Sequence, residues 1–254
     1  MARRVPEGPP PAPIVQRVRI RYAKRGRLRF SSHRDFARAF ERALRRADVP
    51  MGYSGGFTPH PKIAYLGAAP TGVASEAEYL EIGLVREVDV ELLRLALDAA
   101  LPPGLDIVEA VVSGGGSLAE RMQASAWRIE LPGVDLPTAE AALARFLAET
   151  SCPVERLTKT GHKNVDARAA VVSATVSQAG AQPLGPARAI LEMVVRQVTP
   201  AVRPDDVLAA LRGVAGLALT AAPVSVRVAQ GPIDDAGSVG DPLIADRGRL
   251  EASP

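Results

Sequence analysis

At 254 residues, 47% hydrophobic and 23% charged, with a mean hydropathy of +0.06, the chain has globular composition and room for one large domain or two of about 100 residues. No apolar run approaches the roughly 20 residues of a membrane span, and the two arginines near the proline-rich N-terminus lead into no apolar segment of a secretory signal. Cys152 is the single cysteine, which excludes an internal disulfide, an all-cysteine zinc site and a cluster held by several cysteines of this chain. The expectation is a cytoplasmic protein with no cofactor and no metal.

Charge is distributed unevenly. Residues 14–62 hold 13 Lys/Arg against Asp35, Glu41 and Asp48, whereas residues 63–254 hold 16 Lys/Arg against 24 Asp/Glu. Positive charge concentrated in one stretch points to a polyanionic partner, nucleic acid first.

Residues 1–13 are proline-rich and read as a disordered lead. Arg17-Val-Arg-Ile-Arg-Tyr22 alternates with the period of a half-buried strand. Val18, Ile20 and Tyr22 then face the core, and Arg17, Arg19 and Arg21 share the other face. After a basic turn, Ser32 is the expected N-cap of a helix, with Asp35 closing a capping box. Phe36, Ala39, Phe40, Ala43 and Leu44 give that helix an apolar stripe, and Arg34, Arg38, Arg42 and Arg45 give it a basic one. Glu41 has Arg38 and Arg45 within pairing range, but two acids do not neutralise the row. Residues 52–61, rich in glycine and proline, predict a loop. Strands are expected at 62–66, 79–85 and 105–112, with a second helix around Val90–Leu97 stopped by Pro102-Pro-Gly104.

That order is β-α-β-β-α-β, a ferredoxin-like half over residues 14–113. Ser113-Gly-Gly-Gly-Ser117 predicts a flexible joint within a linker at 114–124, and the pattern then recurs over 125–230. There the predicted strands are 126–131, 154–158, 166–176, 187–197 and 223–229, with helices at 138–149 and 205–212. The Gly/Pro/Asp/Ser composition from 231 to 254 reads as a disordered tail. The fold class is therefore α+β, as two tandem ferredoxin-like halves with disordered termini.

In a two-layer sandwich the helices cover one side of the sheet. The Arg17/Arg19/Arg21 face is thus expected to be open and able to lie along a phosphate backbone. Tyr79 is the aromatic available on the third strand, although the chain has no aromatic signature of an RNA-recognition motif. Arg34, Arg38 and Lys62 extend the basic surface. His33, at the first turn of the arginine helix, is placed to act as a phosphate ligand or a general acid or base. The bland alternative is a surface histidine at a helix start. His60, between Pro59 and Pro61, is held in a rigid loop expected to return near that helix N-terminus. Lys159-Thr-Gly-His-Lys163 with Asp166 and Arg168 is a second polar cluster, whose bland reading is a charged hairpin turn.

Three blocks carry a family resemblance: Leu28-Arg-Phe-Ser-Ser-His-Arg-Asp35, Tyr53-Ser-Gly-Gly-Phe-Thr-Pro-His-Pro-Lys62 and Gly72-Val-Ala-Ser-Glu-Ala-Glu-Tyr-Leu80. Together they resemble the radical SAM-linked protein family, a domain of unknown function found fused or adjacent to cobalamin-binding radical SAM proteins. The resemblance spans about residues 15–230 and is strongest before 113. It marks Asp35, Phe57, Glu76 and Glu78, and more loosely Lys159, Lys163, Asp166 and Arg168, as motif positions. The chain lacks the Cys-x3-Cys-x2-Cys of a radical SAM enzyme. The implied role is to bind a substrate, RNA being the candidate, and to present it to a radical SAM partner in RNA modification or processing. Two alternatives stay open. One is a metal-independent endoribonuclease using His33 and His60, in fold-level analogy to the CRISPR repeat-processing endoribonucleases. The other is a protein-interaction module that docks a radical SAM enzyme.

Overall fold

A computed structural model describes residues 10–158, 161–179 and 188–247. The fold is mixed α+β, and the chain divides into two compact units. One comprises the residues up to Ser117 together with those from Leu243, and the other comprises Leu118–Pro242.

In the first unit the order is β1 (Gln16–Lys24), a 3-10 turn (Gly26–Phe30), α1 (His33–Arg46), β2 (Ile63–Leu66), β3 (Ala74–Leu84), α2 (Val90–Ala100) and β4 (Leu105–Val112). The strands pair antiparallel in the spatial order β4-β1-β3-β2, with Arg19 opposite Glu81, Arg21 opposite Glu109 and Tyr65 opposite Leu80. Both helices pack on the face presented by Val18, Ile20, Tyr22, Leu80, Ile82 and Leu84, and Phe36, Phe40, Leu44, Leu93 and Leu97 complete that core. The α1 capping box forms as the sequence predicts. The Asp35 amide donates to the Ser32 hydroxyl, and the Ser32 amide donates to the Asp35 carboxylate. The Ser32 hydroxyl also donates to the Asp35 carboxylate at 2.6 Å, and this bond, followed by that of the Ser32 amide, holds the Asp35 carboxyl below its usual pKa. The helix stops at Arg46, and Asp48 with φ of 49° turns the chain away.

The second unit runs β5 (Ala124–Pro132), α3 (Leu136–Ala148), β6 (Pro153–Thr158), β7 (Gly161–Asp166), α4 (Ala167–Ala170), β8 (Val171–Gln178), β9 (Arg188–Arg196), α5 (Pro204–Ala215) and β10 (Val224–Gly231). Its sheet has the antiparallel order β10-β5-β9-β8. Trp127, Ile129 and Leu131 point into the core, as their alternation predicts.

The strands expected at 154–158 and 166–176 come out differently. The first belongs to a separate β6-β7 hairpin. The second begins only at Val171, because Asp166 ends β7 and caps the single helical turn of α4. Its carboxylate accepts from the amides of Cys152, Arg168 and Ala169 and from the Ser151 hydroxyl. The Ser151 hydroxyl leads the interactions that lower the Asp166 pKa. A carboxyl held below the unfolded-chain value of about 3.9 stabilises fully above that pH and loses its contribution as pH falls through the folded value. Asp166→Ala is expected to cost the second unit about 1–2 kcal/mol at pH 7 and to flatten its acid-side stability loss. Urea titrations at pH 3 and pH 7 measure both effects.

The stretch expected to be a structureless tail is ordered as far as Arg247. β10 reaches Gly231, Ile233 bridges Val239, and α6 (Ile244–Arg247) belongs to the first unit. Among the described residues no helix is long and apolar enough to cross a membrane.

Candidate nucleic-acid interface

The three arginines of β1 do share the face opposite the helices, but that face is not open. Arg19 is fully buried. Its Nε donates to Glu81 at 2.9 Å, its Nη1 donates to both oxygens of Asp246 at 2.8 and 2.9 Å, and its Nη2 donates to the carbonyls of Gly115 and Gly116 at 3.1 and 2.6 Å. Burial works against the charged guanidinium, yet the bonds to Asp246 and Glu81 outweigh it and leave the Arg19 pKa raised. Asp246 also accepts from the Gly114 amide at 2.8 Å. The expected flexible joint is thus pinned at 114–116, where Gly115 and Gly116 at φ of 93° and 67° suit a conformation that side-chain-bearing residues avoid.

The neighbours of Arg19 are also paired. Arg17 meets Glu81 at 3.1 Å and Arg21 meets Glu109 at 3.7 Å, while Arg247 of α6 donates to the same Glu109. Tyr79 is buried, so it offers no stacking surface. The expectation of an open arginine sheet is corrected: acids from β3, β4 and α6 pair with all three arginines, and Arg19 is buried among them.

The arginines of α1 stand otherwise. Arg34, Arg38, Arg42 and Arg45 are all exposed, and none forms an ion pair among the described residues. At 100° per residue they fall within about 80° of arc along roughly 16 Å of helix. Lys62, just before β2, is exposed and likewise unpaired among the described residues. Glu41 forms no ion pair with Arg38 or Arg45 either.

The loop after α1 runs along the C-terminal half of the helix and does not return to its N-terminus. The Ser54 amide donates to the His60 carbonyl at 2.9 Å, and the His60 amide donates to the Ser54 hydroxyl at 3.0 Å. This closed base carries Phe57 at its tip, 75% exposed, and leaves Tyr53 45% exposed. A cleft of about 190 Å³ opens between loop and helix, lined by Glu41, Arg45, Met51, Tyr53, Pro59 and His60. His33 lies elsewhere. It is exposed, and its ring meets Tyr65 edge-on at 4.9 Å. Glu41, the cleft residue of α1 nearest to His33, already lies about 12 Å along the helix from it, and no contact joins His33 to His60 among the described residues. Burial, and then the charge of Glu41, raise the Tyr65 pKa, and its hydroxyl has no hydrogen-bond partner among the described residues.

The remaining motif positions build framework. Glu76 and Asp106 clamp Arg25. Glu78 is buried and accepts the Ala69 amide at 3.0 Å, while the buried Lys24 ammonium donates to the carbonyls of Ala69 and Pro70. Together they fasten the 67–73 turn. Glu78→Ala is expected to unfasten this turn and cost about 1–3 kcal/mol through the buried groups left unpaired, readable as a shift in urea midpoint at unchanged m. Arg168 donates to the carbonyls of Leu147 and Val171, and Asp166 is the α4 cap already described. Lys163 is exposed on β7. Lys159 lies outside the described residues.

The sequence matches a family described as an uncharacterized protein conserved in bacteria (DUF2344), over residues 17–204. The chain belongs to this family. The family's span takes in β1, α1 and the 52–61 loop, whereas α6, with Asp246, lies beyond it. Among solved structures the chain is similar to a crystal structure of an unknown protein from Galdieria sulphuraria, at 15% identity and a TM-score of 0.24 over 78% of this chain and 91% of that one. A comparison with curated proteins finds no match.

Tyr53, Arg42, Arg45 and Glu41 are the residues at this surface that sequence reasoning did not single out as binding positions. Arg42 and Arg45 continue the four-residue spacing of Arg34 and Arg38, so the signal for them was present. For Tyr53 and Glu41 the loop path along α1 was needed.

Proposed function

We propose that this protein is an RNA-binding accessory factor that holds RNA on α1 and the 52–62 loop and presents it to a partner enzyme. The observation that carries the reading is the contrast in charge compensation. The β1 arginines are ion-paired within the fold, whereas Arg34, Arg38, Arg42, Arg45 and Lys62 are exposed and form no ion pair among the described residues, Asp35 acting on Arg34 and Arg38 only without such contact. Holding like charges along one helix costs stability, and a polyanion bound there offsets that cost by releasing counterions. Exposed aromatic rings on the segments before and after α1 fit the same partner. Phe30 and Phe57 are 60% and 75% exposed, and the Arg29 guanidinium lies over the Phe30 ring at 4.8 Å. Single-stranded RNA is bound by this combination of basic track and stacking surface.

The partner is inferred from the motif blocks alone: the resemblance to radical SAM-linked proteins makes a radical SAM enzyme the recipient, in RNA modification or processing. The unit orders β4-β1-β3-β2 and β10-β5-β9-β8 are read as two ferredoxin-like halves, the second interrupted by the β6-β7 hairpin. A cytoplasmic setting follows from the RNA partner.

The test is binding of labelled RNA by the purified protein at several salt concentrations, with the same samples run on a denaturing gel in EDTA. Steep loss of affinity with salt and intact RNA are expected. Absence of binding at low salt overturns the reading, and discrete cleavage products replace the accessory role with an endoribonuclease.

A further inference from the structure

We infer that the cleft between α1 and the 52–61 loop is a pocket for one unstacked base of single-stranded RNA, with guanine its preferred occupant. This rests on the RNA-binding reading and names what that surface recognises. At about 190 Å³ the cleft is smaller than the roughly 300–1,000 Å³ of pockets that enclose drug-sized molecules, so it takes a single heterocycle rather than a whole ligand.

The lining is built for a flat ring. Tyr53 supplies an aromatic face, and Met51, Pro59 and Pro61 supply apolar walls. Unstacked bases of RNA are bound by stacking on such side chains and by hydrogen bonds to their edges. The two prolines fix the backbone on either side of His60, and the Ser54–His60 pair of hydrogen bonds closes the loop behind it. The wall opposite α1 is therefore formed before any ligand arrives.

Glu41 decides which base. It is the one acid among the basic residues of α1 beyond the capping Asp35, it lines the cleft, and no ion pair occupies it among the described residues. A carboxylate accepts hydrogen bonds and offers none. Guanine presents two adjacent donors, N1–H and the exocyclic N2–H, that match two carboxylate oxygens. Adenine and cytosine present an amino group beside an acceptor, and uracil presents one N–H flanked by two carbonyls that a carboxylate repels. Arg45 and His60, at the same cleft, are placed for the phosphate of the nucleotide whose base is inserted.

The experiment uses fluorescence anisotropy at one low salt concentration with four RNA nonamers. They are a run of nine uridines and the same run with guanosine, inosine or adenosine at the centre. Guanosine is expected to bind at least about fivefold tighter than the all-uridine RNA, and inosine, which lacks the exocyclic amine, falls between them. Glu41→Gln abolishes the preference, so that the guanosine-containing and all-uridine RNAs bind alike. Tyr53→Ala weakens all guanosine-specific gain and leaves the salt dependence of the all-uridine RNA unchanged. Equal binding of all four RNAs, or a guanosine preference that survives Glu41→Gln, overturns the pocket while the RNA-binding reading stands. No binding of any nonamer overturns both.

Discussion

Arg19→Met is expected to destabilise the first unit by about 3–5 kcal/mol, the cost of removing one partner from a buried ion pair. Every donor nitrogen of that guanidinium is engaged: Nε with Glu81, Nη1 with Asp246, and Nη2 with the carbonyls of Gly115 and Gly116. Without it Asp246, 1% exposed, loses both hydrogen bonds that the Arg19 guanidinium gives its carboxylate. Glu81 fares better because Arg17 remains beside it at 3.1 Å. Urea unfolding followed by circular dichroism measures the loss.

Two comparisons separate a buried pair from a mere change of surface charge. Arg17→Gln is expected to cost no more than about 1 kcal/mol, since its guanidinium is 56% exposed. Arg19→Met combined with Asp246→Leu is expected to recover most of the stability, because apolar replacement of both partners removes the stranded charge. A loss below about 1 kcal/mol in the single variant would show that solvent reaches the pair. RNA affinity of the folded fraction is expected to be unchanged, since Arg19 faces no solvent.

Local signals were legible in the sequence and long-range ones were not. The Ser32–Asp35 box lies within one helical turn, and its geometry follows from the spacing. The β1 alternation likewise placed Arg17, Arg19 and Arg21 on one face. What covers that face is separated from Arg19 by 227 residues, in a stretch whose glycines, prolines and aspartates carry no periodicity. Only the folded chain brings Asp246 to Arg19. Asp166 illustrates a different limit. Cap and strand-end aspartates look alike until the direction of the chain after them is known, and here the following residues make one helical turn before β8. His60 does sit in a loop closed by hydrogen bonds at its base, but the end of α1 it meets depends on the turn at Asp48, which no motif announces.

The second large effect is expected at α1. Changing Arg34, Arg38, Arg42 and Arg45 together to Gln should reduce the slope of log affinity against log salt by about 3, at roughly 0.7 for each single-strand phosphate that is no longer neutralised. Affinity falls most at low salt, where counterion release contributes most. Folding stability is expected to hold or rise, because like charges four residues apart are removed from an exposed helix face. The discriminating control is Arg17→Gln with Arg21→Gln. Those side chains are held in ion pairs with Glu81 and Glu109, acids they share with Arg19 and Arg247, so the slope should change far less than with the α1 set. If the control flattens the slope as much as the α1 set, the acids of the sheet face do not neutralise it and RNA lies on β1 after all. If neither set changes the slope, the polyanion is bound elsewhere. Sequence alone gives the arginines of β1 and α1 the same formal charge. Their difference lies in the contact ion pairs that the fold gives one set and not the other, and the salt slope is the quantity that measures it.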